Sequence, residues 1–168
     1  MRRLLLPLLL ALALPASAVA TTLRFDGIGP LDLGMTTADA EATGWIAHKA
    51  KGCELERPAP AVYRLDGAKA PDGLRGSAEF AAGKLRGVTV TRGAHTAAGV
   101  TPGVTTFKGM ARLYRARGYK VRIGYDATFA GTFVDVLKKG EPLISAFGGG
   151  TSGRRIAVLG IPFVPVCE

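Results

Sequence analysis

The sequence predicts an α+β fold in which two helix-plus-antiparallel-strand repeats form one mainly antiparallel sheet, with both helices packed on one face. Three observations predict it. A short motif occurs twice, as Gly34-Met35-Thr36-Thr37 and as Gly103-Val104-Thr105-Thr106, each time just ahead of a helix-like segment. Strand-like runs broken by turn-forming pairs follow each copy. In the second copy, Phe107, Met110, Ala111 and Tyr114 recur at i, i+3, i+4 and i+7, the spacing of one buried helix face.

Residues 1–20 stand outside this pattern. Arg2-Arg3 form a basic start, Leu4 to Leu14 an apolar run, and both Ala16-Ser17-Ala18 and Ala18-Val19-Ala20 fit the small-x-small rule of signal-peptide cleavage. Cleavage is expected near Ala20. A membrane anchor would need ~20 uninterrupted apolar residues, and Pro7 and Pro15 break this shorter stretch. Residues 21–168 are then a single domain built of two repeats, about 21–94 and 95–168, located in a periplasm or outside the cell.

In the first repeat, Leu23-Arg24-Phe25 reads as a short strand, and the stretch from Gly29 to Gly34 as a turn-rich approach to a helix. Thr36 caps that helix, Asp39 stands three residues on as in a capping box, and Gly44 ends it. Residues 47–60, with mixed charge, Cys53 and two prolines, read as a loop. Strands are predicted at Ala61–Leu65, Gly76–Ala81 and Leu85–Arg92, the last two joined by the tight Ala82-Gly83-Lys84 connection. In the second repeat, Thr105 or Thr106 caps a helix from Phe107 to about Arg117, and Gly118 ends it. Strands follow at Tyr119–Tyr125, Thr132–Lys138, Pro142–Phe147 and Arg155–Phe163, with Lys139-Gly140-Glu141 as a hairpin turn.

Only two cysteines are present, Cys53 and Cys167. In an oxidising compartment an even pair forms one bridge, here tying the loop after the first helix to the C-terminus. Closing a loop of ~100 residues constrains the unfolded chain by about 4–5 kcal/mol in the entropy account.

Formal net charge is +9. It is unevenly placed: residues 21–94 carry ten Lys/Arg against nine Asp/Glu, and residues 95–168 ten against four. Lys108, Arg112, Arg115, Arg117, Lys120 and Arg122 make the sharpest basic cluster, on the polar side of the second helix and the strand after it. Such a face steers anionic partners toward it, and its plainer reading is a solvated helix face. Nucleic acid is not an expected partner for an exported chain. Asn and Gln are absent, which removes both glycosylation sequons and amide side chains for base reading.

No catalytic constellation stands out, no cofactor or metal site is expected, and the chain is read as a non-enzyme. Gly148-Gly149-Gly150-Thr151-Ser152-Gly153 spells G-x-G-x-x-G, but strand-like residues follow it where a dinucleotide site needs a helix N-terminus. It reads as a hairpin loop presenting Arg154 and Arg155. Ser77, Ser145 and Ser152 lack a nucleophile-elbow context, and His48 and His95 read as polar surface residues.

The run Asp26-Gly27-Ile28-Gly29-Pro30-Leu31-Asp32-Leu33-Gly34-Met35-Thr36, the segment Thr96 to Thr105 and the closing Cys167 resemble the framework of a group of small exported bacterial proteins. Those proteins are similar to tandem versions of the fold in the small outer-membrane-assembly lipoproteins (SmpA/OmlA, or BamE-like) and in the β-lactamase inhibitor protein. The resemblance implies a helix-plus-antiparallel-sheet unit used twice, acting by protein–protein contact, and carries no catalytic residue across. The chain departs from the lipoproteins in lacking a lipidated cysteine. Candidate interface aromatics are Trp45, Tyr114, Tyr119 and Tyr125.

The expected function is that of an exported binding module for an envelope or extracellular protein, inhibition of that partner being one form it takes. The alternative is a binder of lipopolysaccharide or anionic lipid through the basic second repeat. Lys108, Arg112, Arg115, Arg154 and Arg155 are the candidate contact residues in either case.

Overall fold

The structure, a computed structural model, describes residues 21–53, 57–149 and 155–165. Among the described residues, twelve strands and two helices run in the order β1 (Thr21–Leu23), β2 (Gly27–Ile28), β3 (Leu31–Asp32), α1 (Thr37–Ala42), β4 (Ala47–Lys51), β5 (Ala61–Arg64), β6 (Arg75–Ala81), β7 (Lys84–Arg92), β8 (Ala94–Thr96), α2 (Phe107–Arg115), β9 (Lys120–Asp126), β10 (Gly131–Lys138), β11 (Glu141–Gly149) and β12 (Val158–Ile161). They form two sheets, a small one ordered β3-β2-β1-β8 and an eight-stranded one ordered β4-β5-β6-β7-β12-β11-β10-β9.

This corrects the expected fold class. The described residues are mostly β, 48% strand against 11% helix, and form two sheets instead of one sheet under two helices. The difference comes from strands that carry no local signature. β2 and β3 are two residues long, and β8 lies parallel to β1 through pairs such as Thr21 with Ala94, a contact between distant parts of the chain. β4, Ala-His-Lys-Ala-Lys, is an edge strand whose sequence shows no apolar alternation.

Within the large sheet each helix is followed by four consecutive strands, β4–β7 after α1 and β9–β12 after α2, and β7 pairs antiparallel with β12 where the two sets meet. The approaches to the helices match in detail. Gly34 and Gly103 both adopt positive φ (87° and 75°), which favours glycine. Their N–H groups donate to Leu85 and Ile156 carbonyls, each at 2.7 Å. Thr36 and Thr106 are the N-caps, accepting from the backbone N–H of Asp39 and Gly109. The cap lies two residues beyond Gly34 but three beyond Gly103, so of the two candidates in the second copy Thr106 caps and Thr105 does not. Thr105 instead accepts from the Thr101 N–H at 2.9 Å.

Strand alternation sorts the sheet into an apolar and a polar face. Val134, Ala146, Leu159 and Val90 stand in one cross-strand row, and Ile161, Val88, Ala78 and Tyr63 in another, all buried. These rows join Phe107, Met110 and Tyr114 of α2, Ala40 of α1, and Leu23, Ile28 and Leu31 of the small sheet in a single hydrophobic cluster. Each fully buried aliphatic side chain here contributes about 1.5–3 kcal/mol relative to exposure. One residue along, the row reads Arg122, Asp135, Ser145, Gly160, Thr89, Ser77 and Arg64. Asp135 and Ser145 are buried but bonded to each other at 2.7 Å, as are Ser77 and Thr89 at 2.8 Å, so the polar face is satisfied from within.

The β6–β7 and β10–β11 hairpins close through Ala82-Gly83 and Lys139-Gly140, all four residues at positive φ as a two-residue type I′ turn requires. Alanine carries a Cβ penalty at that φ of 48° which asparagine tolerates better. Replacing Ala82 by Asn is therefore expected to stabilise the protein by about 0.5–1 kcal/mol. Urea denaturation should show a higher midpoint at unchanged slope; an unchanged or lower midpoint would refute the turn assignment.

Candidate functional site

α2 builds its face from a strict division of labour. Phe107, Met110, Ala111 and Tyr114 are buried, while Lys108, Arg112 and Arg115 point to solvent. Arg112 and Arg115 occupy the last turn, where cations complement the partial negative charge of the helix C-terminus. Arg117 donates to the Leu113 carbonyl at 2.9 Å and closes the same end. Lys108 is different. It lies in the first turn, where the helix dipole disfavours a cation, and that turn holds no acidic residue to offset it.

β9, the outer edge of the large sheet, runs beside this helix. Between them lies a cleft of about 630 Å³ lined by Lys108, Ala111, Arg112, Arg115, Ala116 and Ile123. Arg115 donates to the Val121 carbonyl at 3.2 Å, which fixes its guanidinium over the strand. Ile123 and Tyr125 are 42% and 51% exposed, two of the three large exposed apolar side chains among the described residues. On the other face of β9, Arg122 is paired with Asp135 at 2.7 Å. Asp126 accepts from the N–H groups of Thr128 and Phe129 and so serves its own turn. Among the described residues, no carboxylate lies within 4.0 Å of Lys108, Arg112, Arg115 or Lys120.

Of the contact residues expected from sequence, Lys108, Arg112 and Arg115 therefore share one surface. Arg155 forms a bridge with Thr106 and donates to the Gly103 carbonyl at 3.0 Å, which places it at the N-terminal end of α2. Arg154 lies outside the described residues, as do residues 1–20 and Cys167. Cys53 stands two residues beyond β4, half-buried and unbonded among the described residues. Sequence reasoning identified the strand at Tyr119–Tyr125 but not that it is a sheet edge, nor that Ile123 sits beside the cations. Lys-Val-Arg-Ile-Gly-Tyr-Asp alternates apolar with polar residues as any half-covered strand does, so its sequence carried no signal of an edge.

The other candidate groups are held apart. His48 bonds Asp66 and His95 meets Thr22, whereas Ser77 bonds Thr89 and Ser145 bonds Asp135. No group of three His, Cys, Asp or Glu among the described residues could hold a metal ion. After the glycine-rich stretch the described chain resumes as a bridge and β12, not a helix. A further cavity of about 530 Å³ is lined by Phe25, Tyr114 and Tyr119 with Arg24 and Arg117. The three rings pack at centroid distances of 5.5–6.3 Å, and burial pushes the Tyr114 phenol above its ordinary value, with a bond to Thr96 opposing. Of the candidate interface aromatics, Tyr114 is buried, Trp45 and Tyr119 are half-buried, and Tyr125 is exposed.

No protein-family model, curated protein or solved structure matches the chain.

His48 sits at a register shift in β4 with φ 48°, its Nδ1 3.0 Å from Asp66, and Arg64 lies 3.2 Å from the same carboxylate. The bond to His48 holds the Asp66 carboxyl below the usual carboxylate range; partial burial opposes, and the charges of His48, Arg64 and Arg75 reinforce it. A depressed folded-state value means the stabilisation is present above the unfolded value of about 4 and is lost as pH falls through the folded one. Asp66→Asn should cost under about 1 kcal/mol at pH 6, the scale of a solvent-facing pair. Denaturant titrations of both proteins should converge as pH falls through the folded-state value of Asp66; a difference that persists once the carboxyl is protonated would rule out the ion pair as its source.

Proposed function

We propose that the protein is an exported, non-enzymatic binding module whose α2–β9 face contacts an envelope or extracellular protein. Lys108 carries this reading. A cation in the first turn of a helix, with no acid beside it, costs the fold stability and needs a reason outside the fold. The same face adds Arg112, Arg115 and the exposed Ile123 and Tyr125, a mixture of apolar surface and charge that has no carboxylate partner among the described residues, suited to a protein partner. Export rests on the signal-like residues 1–20, and the two-repeat contact scaffold on the motif resemblance. The second reading, an anionic lipid or lipopolysaccharide bound by the same cations, is favoured by their lack of carboxylate partners among the described residues and predicts strong salt dependence.

The triple variant Lys108→Glu, Arg112→Glu, Arg115→Glu tests both. Tagged wild-type protein should retain a stoichiometric partner from native periplasm or culture fluid, and the variant should lose it. Failure to retain any such partner, with salt-sensitive binding to anionic vesicles that the variant abolishes, would move the assignment to the lipid reading. Lys108→Glu alone separates function from folding: it should raise stability by about 0.3–1 kcal/mol through the helix dipole while weakening the contact.

The proposed Cys53–Cys167 bridge has its own check. Thiol labelling of the exported protein should modify both cysteines only after reduction; labelling of the unreduced protein would remove the bridge.

A further inference from the structure

The two edges of the large sheet are built differently. β4 is five residues long and carries a register shift at His48, whose φ is 48°; short, bulged edges of this kind resist pairing with another strand. β9 is seven residues long and pairs with β10 through seven consecutive residues, Lys120 with Leu137 to Asp126 with Gly131, without a shift. An edge strand offers its outward N–H and C=O groups to any strand that can lie beside it. On β9 the Val121 carbonyl already accepts from Arg115, which leaves the stretch from Arg122 to Asp126 for such pairing.

What lies around the edge selects the occupant. Lys108, Arg112 and Arg115 stand on the helix side, Arg115 fixed over β9 by its bond to Val121, and Lys120 on the strand; none has a carboxylate within 4.0 Å among the described residues. Ile123 and Tyr125 add apolar surface at the same edge. A second copy of this chain, pairing β9 to β9, would set two groups of uncompensated cations side by side. The charges that discourage self-pairing therefore favour an acidic strand, specificity by repulsion and attraction together.

We infer that β9 is a docking edge at which an acidic, extended segment of a partner protein adds as a ninth strand, its carboxylates meeting Lys108, Arg112 and Arg115. Backbone pairing along β9 provides affinity, and the cations above it read the charge. The inference rests on the proposed binding-module function and specifies the partner's chemistry and mode of contact.

The test uses the full exported chain and a fluorescein-labelled heptapeptide of alternating Glu and Val. The peptide should bind in about 50 mM salt and weaken markedly by about 0.5 M. The same peptide N-methylated at alternate residues keeps its charge but cannot pair along one side, and should bind at least about tenfold more weakly, the loss of two or three backbone hydrogen bonds. Amide hydrogen exchange should slow in β9 when the unmodified peptide binds, and not in β4. Equal binding of the two peptides with unchanged β9 exchange would overturn the docking edge and leave a purely electrostatic contact on α2. Absence of peptide binding while the basic face still captures a protein partner would overturn the edge inference alone, and vesicle binding without peptide binding would overturn it together with the protein-binding function.

Discussion

β7 and β12 meet through three residue pairs, Leu159 with Val90, Gly160 with Thr89 and Ile161 with Val88, and this seam joins two four-stranded meanders into one sheet. The four apolar members are buried and lie at the middle of the core rows that continue into β6 and β11. Gly160 leaves room between them for the returning chain, since a Cβ there would stand 2.2 Å from the Phe163 carbonyl oxygen. Neither meander could bury its apolar face alone: a four-stranded sheet under one short helix leaves its inner edge open. Across the seam both edges are satisfied at once, and the outer edges, β4 and β9, are the ones left for solvent or partners.

Charge follows the same division. In the first half the ions are largely consumed within the fold: Arg24 bonds Asp26, Asp32 and the Gly29 carbonyl, Glu79 pairs with Arg86, and Asp66 is held by His48 and Arg64. In the second half the buried Asp135 takes Arg122 and Asp126 caps a turn, after which too few carboxylates remain for the cations of α2 and β9. The excess of positive charge counted along the sequence is thus concentrated where two exposed apolar side chains also gather. Cations without a carboxylate partner among the described residues thus stand beside the exposed Ile123 and Tyr125, a mixed surface rather than a purely polar one.

Local chemistry made the helices and the long strands legible. Thr36 with Asp39, the i, i+4 spacing from Phe107, and the Ala82-Gly83 and Lys139-Gly140 turns all act over a few residues, and the structure places each where the sequence pointed. The small sheet was not legible, because β8 is recruited to β1 by contacts some seventy residues apart and β2 and β3 are too short to show alternation. β4 was read as loop for a related reason: an edge strand with one half-covered side needs no apolar period. The fold class failed on these four strands. For the site, the basic residues were visible as a list, whereas the neighbourhood of Ile123, which depends on how α2 lies against β9, was not.

Comparison of the two helices shows how one scaffold can be put to two uses. Both begin at a threonine cap that follows a positive-φ glycine, and both anchor that approach by a backbone bond, the first to Leu85 of β7 and the second to Ile156, two residues ahead of β12. At the third position past the cap, α1 has Asp39, whose carboxylate accepts from Thr36 and complements the helix N-terminus. α2 has Gly109 there, with Lys108 beside it, giving up both the carboxylate and part of the helix propensity. Its nine residues and four buried side chains hold it in place despite that loss, where six-residue α1 buries only Ala40. The more strongly packed helix is the one that can carry an unfavourable charge at its start, and it lies against the unblunted edge of the sheet.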